Sequence, residues 1–137
     1  MRVYGIIVCI ILLAMLIGCN GSQSGTDRGI TVEISDSRGF GSFNEDPFVT
    51  YEGGHPGTTA GRIERAVHEA EKQPGIVDIA EPKYDIRFTY TDGSTETYHL
   101  WLDEWSEYAT VMRSEDTHFI YRVSKTSTVD LKEIIGN

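Results

Sequence analysis

The chain has 137 residues, a formal net charge of −9, 39% hydrophobic residues and two cysteines. That length carries one domain with a real core and leaves little room for a second. The acidic balance argues against nucleic acid and against broad contact with anionic lipid, and favours cations or basic partners.

Arg2 is followed by the apolar run VYGIIVCIILLAMLIG, a charged start and apolar core in the pattern of a secretory signal. The run is nearly long enough to span a bilayer, but LIGC at residues 16–19 resembles the lipobox of bacterial lipoproteins and predicts cleavage. The expectation is a signal peptide over 1–18, a lipidated Cys19, and a chain held to the outer face of the cytoplasmic membrane. Two acyl chains suffice for stable anchoring where one is marginal. Loss of the first 18 of the 137 residues leaves 119, takes Arg2 away and moves the charge from −9 to −10. Cys9 leaves with the signal and Cys19 becomes a thioether, so the mature domain is expected to hold no disulfide and no thiolate metal site. The polar Gly/Ser-rich stretch from Cys19 to residue 29 reads as a tether, and one domain is expected over 30–137.

ITVEI at 30–34 alternates apolar and polar residues, and PFVTY at 47–51 is rich in β-formers, so both read as strands separated by turn-forming RGFGSFNED. Ile63, Ala66, Val67 and Ala70 recur at helical spacing. Thr58 or Thr59 then serves as N-cap and Pro74-Gly75 as the stop, which predicts a helix over 58–73. Strands are expected at 84–90 and 96–102, with Phe88 opposite Tyr98 across a three-residue loop of Asp92, Gly93 and Ser94. Further strands are expected near 108–113 and over 117–123. A short helix capped by Ser127 and Gly136 closes the chain. The order ββαββββα predicts a two-layer α+β domain, a mostly antiparallel sheet with two helices packed on one face.

Familiar site patterns are not met. VHEAEK lacks the second histidine of a zinc helix, since Lys72 stands in its place, and Glu64 and His68 read as an outward i,i+4 ion pair. DSRGFGSFNEDP puts Pro47 where a calcium loop needs glutamate, and GGHPG lacks the lysine of a phosphate loop. No Gly-x-Ser-x-Gly elbow occurs. No metal or cofactor is expected.

Strand alternation sets Arg87, His99 and Trp101, with His118, Ile120 and Arg122, on the sheet face away from the helices. Tryptophan and arginine are enriched where partners dock, so this face is a candidate binding surface. The alternative is a second small core built around Trp101. Trp105 in DEWSEY is either a loop cover or a recognition tip. Asp78 and Glu81 in PGIVDIAEPKYD form either a structural connector or a site with His99 or Trp101 at one end of the sheet, where Asp116 is also placed.

That segment, with DSRGFG before it and YHLWL and DTHFIYRVS after it, is similar to the YhfM-like domain of small lipoproteins from Gram-positive bacteria, over residues 30–135. The resemblance implies recurring residues at Gly39, Gly41, Gly75, Asp78, Pro82, Tyr84, Leu100, Trp101, Asp116, Thr117 and Tyr121, and supplies no catalytic or ligand roles. The expected function is a non-catalytic binding module, anchored to the bilayer by its N-terminal lipid, for an envelope protein, wall fragment or small ligand. A small envelope hydrolase using Asp78, Glu81, Asp116 or a histidine is the rival expectation, and a structural assembly subunit the third.

Overall fold

The computed structural model describes residues 29–75 and 78–136. The expected signal peptide, Cys19 and nearly all of the tether lie outside the described residues. Seven strands form one antiparallel sheet: β1 (Ile30–Asp36), β2 (Val49–Gly53), β3 (Glu71–Lys72), β4 (Tyr84–Tyr90), β5 (Thr95–Trp101), β6 (Thr110–Arg113) and β7 (Asp116–Arg122). Their order across the sheet is β2-β1-β4-β5-β6-β7-β3. Helices α1 (Thr59–His68) and α2 (Lys125–Ile135) pack on one face, so the two-layer α+β arrangement stands.

Alternation along the strands explains the core. Ile30, Val32 and Ile34 of β1 lie opposite Tyr90, Phe88 and Ile86 of β4, and all but Tyr90 are buried. Leu100 and Val111 continue this face through β5 and β6. Ile63, Ala66 and Val67 of α1 and Leu131 and Ile135 of α2 close it from above. Filling such a face with aliphatic and aromatic groups removes them from water at roughly 25 cal/mol per Å² of apolar area.

The caps carry local detail. Thr58 Oγ1 accepts from the Gly61 N–H at 3.1 Å and donates to the His55 carbonyl at 2.8 Å, fixing the start of α1. The second helix begins earlier than expected: Ser124 is its N-cap and accepts from the Ser127 N–H at 3.1 Å. Thr128 follows, buried, and its hydroxyl takes the Ala109 N–H at 2.8 Å, which ties α2 to the approach of β6.

Two expectations are corrected by tertiary structure. The first helix stops at His68, five residues short of Gln73, and Glu71 and Lys72 pair instead with Arg122 and Tyr121 on the edge of β7. The edge of β7 offers this segment ladder hydrogen bonds, including Gln73 N–H to the Ile120 carbonyl at 2.9 Å, which a fraying last helical turn lacks. The β4–β5 connection has three residues as expected, but they are Thr91, Asp92 and Gly93, with Tyr90 N–H bonded to the Ser94 carbonyl. Gly93 has φ 84, and this choice puts glycine at the left-handed position that such a loop requires. The register moves by two residues, pairing Ile86 with Tyr98 and Phe88 with Glu96, so every side chain keeps its face.

Candidate functional site

The sheet face away from the helices is roofed by the loop between β1 and β2. Asp85 and His99 face each other across β4 and β5, and both are fully buried. His99 Nδ1 lies 2.7 Å from Asp85 Oδ1, and Asp85 Oδ2 accepts the Asn44 N–H at 2.8 Å. Phe40 lies over His99 and Trp101 with ring centroids 6.2 and 5.8 Å away. Trp101 donates its indole N–H to the Ala80 carbonyl at 2.6 Å. Arg87 is stacked on Phe43 and bonded to Glu45 at 3.1 Å. Asn44, Asp85 and His99 form a small buried polar centre on this face, with Trp101 partly exposed at its edge. Its polar members are mutually satisfied, as buried polar groups must be.

The remaining sequence candidates disperse. Asp78 and Glu81 are exposed beside the Ala80–Trp101 contact, Glu81 lying against Gly39. Asp116 is not with them: it pairs with Arg113 at the far end of β7, whereas Trp101 is level with Thr110 and Arg122 at the near end. β6 runs away from Trp101, so Asp116, just past the turn after it, starts β7 at the far end. Trp105 is 89% exposed, a loop tip and not a cover.

A different cluster gathers on the helix side. Because α1 ends at His68, the stretch of β5–β7 beyond it is only partly covered, and a groove opens there. One cavity of 340 Å³ is lined by Val67, His68, Ala70, Tyr98, Arg113 and Tyr121 among others. A second of 520 Å³ lies beside it, bounded by Glu64, Tyr90, Asp92 and Ser94, with His68 and Glu96 lining both. His68 Nε2 lies 2.8 Å from Glu96 Oε2, and Glu64, its expected i,i+4 partner, is farther at 3.9 Å. The Tyr98 hydroxyl donates to the same Glu96 oxygen at 3.0 Å. Arg113 Nη2 reaches Glu96 Oε1 at 3.4 Å and the Tyr98 oxygen at 3.2 Å, and the Tyr90 hydroxyl lies 3.4 Å from His68 Nε2.

The electrostatics follow from this packing. Burial pushes Glu96 up, but the hydrogen bonds from His68 and Tyr98 and the charges of His68 and Arg113 outweigh it and hold the carboxylate below its ordinary range. Glu96 is therefore an ionised acceptor, not a proton donor. Burial, with the nearby charge of Glu96, raises both the Tyr90 and Tyr98 phenols, and Glu64 adds to the effect on Tyr90. Both stay protonated as donors. Among the described residues no three histidine, cysteine, aspartate or glutamate side chains converge to hold a metal.

Helical spacing alone pairs His68 only with Glu64, so local pattern does not reveal this cluster. A signal was present: Glu96 shares its strand face with Tyr98 and Leu100, and Arg113 shares one with Val111, so two opposite charges stand at core-facing positions. Charges there need partners.

The family model described as YhfM protein matches residues 59–137. The chain belongs to the YhfM family. That match includes α1, the strands from β3 to β7 and α2, hence every groove residue named above; DSRGFG lies before it. No curated protein matches the chain. Among solved structures, a thioesterase-like protein from Clostridium sporogenes ATCC 15579 is similar with a TM-score of 0.60 and 15% identity. The alignment covers 80% of this chain and 96% of that one. At that identity the likeness is one of fold.

Proposed function

We propose that this member of the YhfM family is a lipid-anchored, extracytoplasmic binding domain without catalytic activity, and that the helix-side groove receives its ligand. The observation that carries the reading is the convergence of His68, Glu96, Tyr90, Tyr98 and Arg113 in a concavity left open by the early end of α1. Pockets with a few convergent polar groups on partly apolar walls are where small ligands bind. The N-terminal run and LIGC support the anchor, with Cys19 as the lipidated residue.

Thermal unfolding of the purified chain against amino acids, short peptides, sugars and wall fragments tests this reading. A ligand at a hundred times its Kd adds about 2.7 kcal/mol, a shift of several degrees. The shift should vanish in His68→Ala and Arg113→Gln. A ligand whose effect survives both changes would place binding elsewhere.

A second reading is hydrolysis, favoured by the 2.8 Å His68–Glu96 pair, in which a carboxylate orients an imidazole as a general base requires. The similar fold of a thioesterase-like protein makes thioesters the first substrates to try. Turnover by the wild-type chain that disappears in His68→Ala would replace the binding reading.

A further inference from the structure

Where β4 begins and β5 finishes, a second concavity stands apart from the groove. This cavity of 420 Å³ is lined by Lys83, Tyr84, Leu102, Glu104, Lys132 and Ile135 among others. Tyr84, Leu102 and Ile135 give it apolar walls, and two lysines stand against one glutamate in a chain of net charge −9. Lys83 lies 5.2 Å from the Tyr84 ring and makes no ion pair among the described residues.

Beside the cavity is Trp105, 89% exposed, although Glu104 just before it belongs to the lining. Lys132 explains why the indole does not turn in. Its Nζ donates to the Glu104 carbonyl at 2.8 Å and to the Ser106 carbonyl at 2.6 Å, one on each side of Trp105. The Ser106 N–H closes the turn on the Asp103 carbonyl at 3.3 Å. A tryptophan presented on a turn already held in one conformation loses little entropy on docking, and tryptophan is the commonest kind of interface anchor. Asp103 and Glu104 precede it, so the tip is acidic as well as aromatic.

Tip and cavity are therefore complementary in charge and in apolarity, and they adjoin one another on one surface. The clamp on the turn keeps a molecule from filling its own cavity, whereas two molecules related by a twofold axis exchange both contacts at once. Phe48, exposed and with its ring 6.0 Å from that of Tyr84, extends the apolar surface that such a contact would cover.

We propose that this end of the domain is a self-association surface. Trp105 of each copy enters the other's cavity between Tyr84, Leu102 and Ile135, with Asp103 and Glu104 toward Lys83. The surface is independent of the groove and of what the groove binds.

The test is multi-angle light scattering of the full chain in non-ionic detergent with micelles in excess, at about 0.15 M salt to screen the net charge. Tryptophan fluorescence over a dilution series accompanies it. At about 100 μM the wild-type chain should have the mass of two copies, as a micromolar Kd requires. Its emission should move to the red on dilution as Trp105 returns to water, over a constant background from Trp101, whose indole is bonded to Ala80. Trp105→Ala should raise the Kd of the dimer roughly thirtyfold or more, the scale of a hot spot. Lys83→Glu sets like charges together and should raise it roughly tenfold or more. Adding Asp103→Lys to Lys83→Glu should restore the dimer, a rescue that damaged folding would not show. A single-copy mass for the wild-type chain overturns the proposal, and so does a dimer that survives Trp105→Ala and Lys83→Glu unchanged.

Discussion

Asp85 and Glu96 are carboxylates on neighbouring strands, each within 2.8 Å of a histidine, yet their surroundings give them different work. Asp85 is sealed beneath Phe40 and Asn44, where its two oxygens are consumed by His99 and by the Asn44 backbone. Removing one member of a buried pair leaves the other unsatisfied, at about 3–5 kcal/mol. Asp85→Ala should therefore lower the unfolding free energy measured in urea by that amount without changing ligand binding in the groove; an unaltered midpoint would remove Asp85 from the core. Glu96 is partly exposed and held ionised by its neighbours. Its folded pKa is lowered from the ordinary 4.5, so the stability it contributes is present above that value and is lost as pH falls through the folded one. The stability gap between wild type and Glu96→Gln should be constant at neutral pH and narrow on acidification below about 4.5. A gap that widened there would mean that Glu96 is held protonated.

At the scale of elements, the groove exists because α1 is ten residues long and gives way to β3. The start of that helix is tightly set. A Cβ on Gly61 would fall 2.0 Å from the His55 carbonyl oxygen, so the GGHPG loop and the first turn are packed backbone to backbone. Gly61→Ala has to move one against the other, and overpacking of this kind costs about 1–3 kcal/mol. Chemical denaturation should show that loss, and its absence would mean that the loop yields freely. Gly93 presents the other kind of constraint, φ 84 with open space around the missing Cβ. Gly93→Ala should cost about 1 kcal/mol through backbone strain alone.

For the whole molecule, the first residue of β1 and the groove lie toward the same end of the sheet. Ile30, which begins β1, is opposite Tyr90, and Tyr90 lines the larger cavity. Trp101 and the end of β5 are at the other end. Among the described residues no helix is long and apolar enough to cross a membrane, and the proposed lipid attachment rests on LIGC at residues 16–19. Cys19→Ala should move the chain from the membrane pellet to the soluble or unprocessed precursor fraction and abolish incorporation of labelled palmitate. Labelling that persisted in that variant would sink the lipidation proposal.

The amino-acid sequence by itself determined the class of the domain and most of its elements. Period-two alternation in β1, β4 and β5 and period-3.6 spacing in α1 are local, and each face follows from the pattern before any neighbour is known. It also marked Gly136 as a cap and narrowed the N-cap of α1 to Thr58 or Thr59, because caps act within a turn of their own helix. Tertiary structure alone decided where α1 stops, since the competing partner for Glu71 and Lys72 is the edge of β7, about fifty residues on. It decided the fate of the Arg87–His99–Trp101 face as well, because the loop that roofs it is joined through Asn44 to Asp85, 41 residues away. The groove needed both kinds of information. Glu96 and Arg113 were visible as charges on a core-facing row, but the nearest partner of Glu96 is His68, brought across from α1 when helix and sheet close on one another.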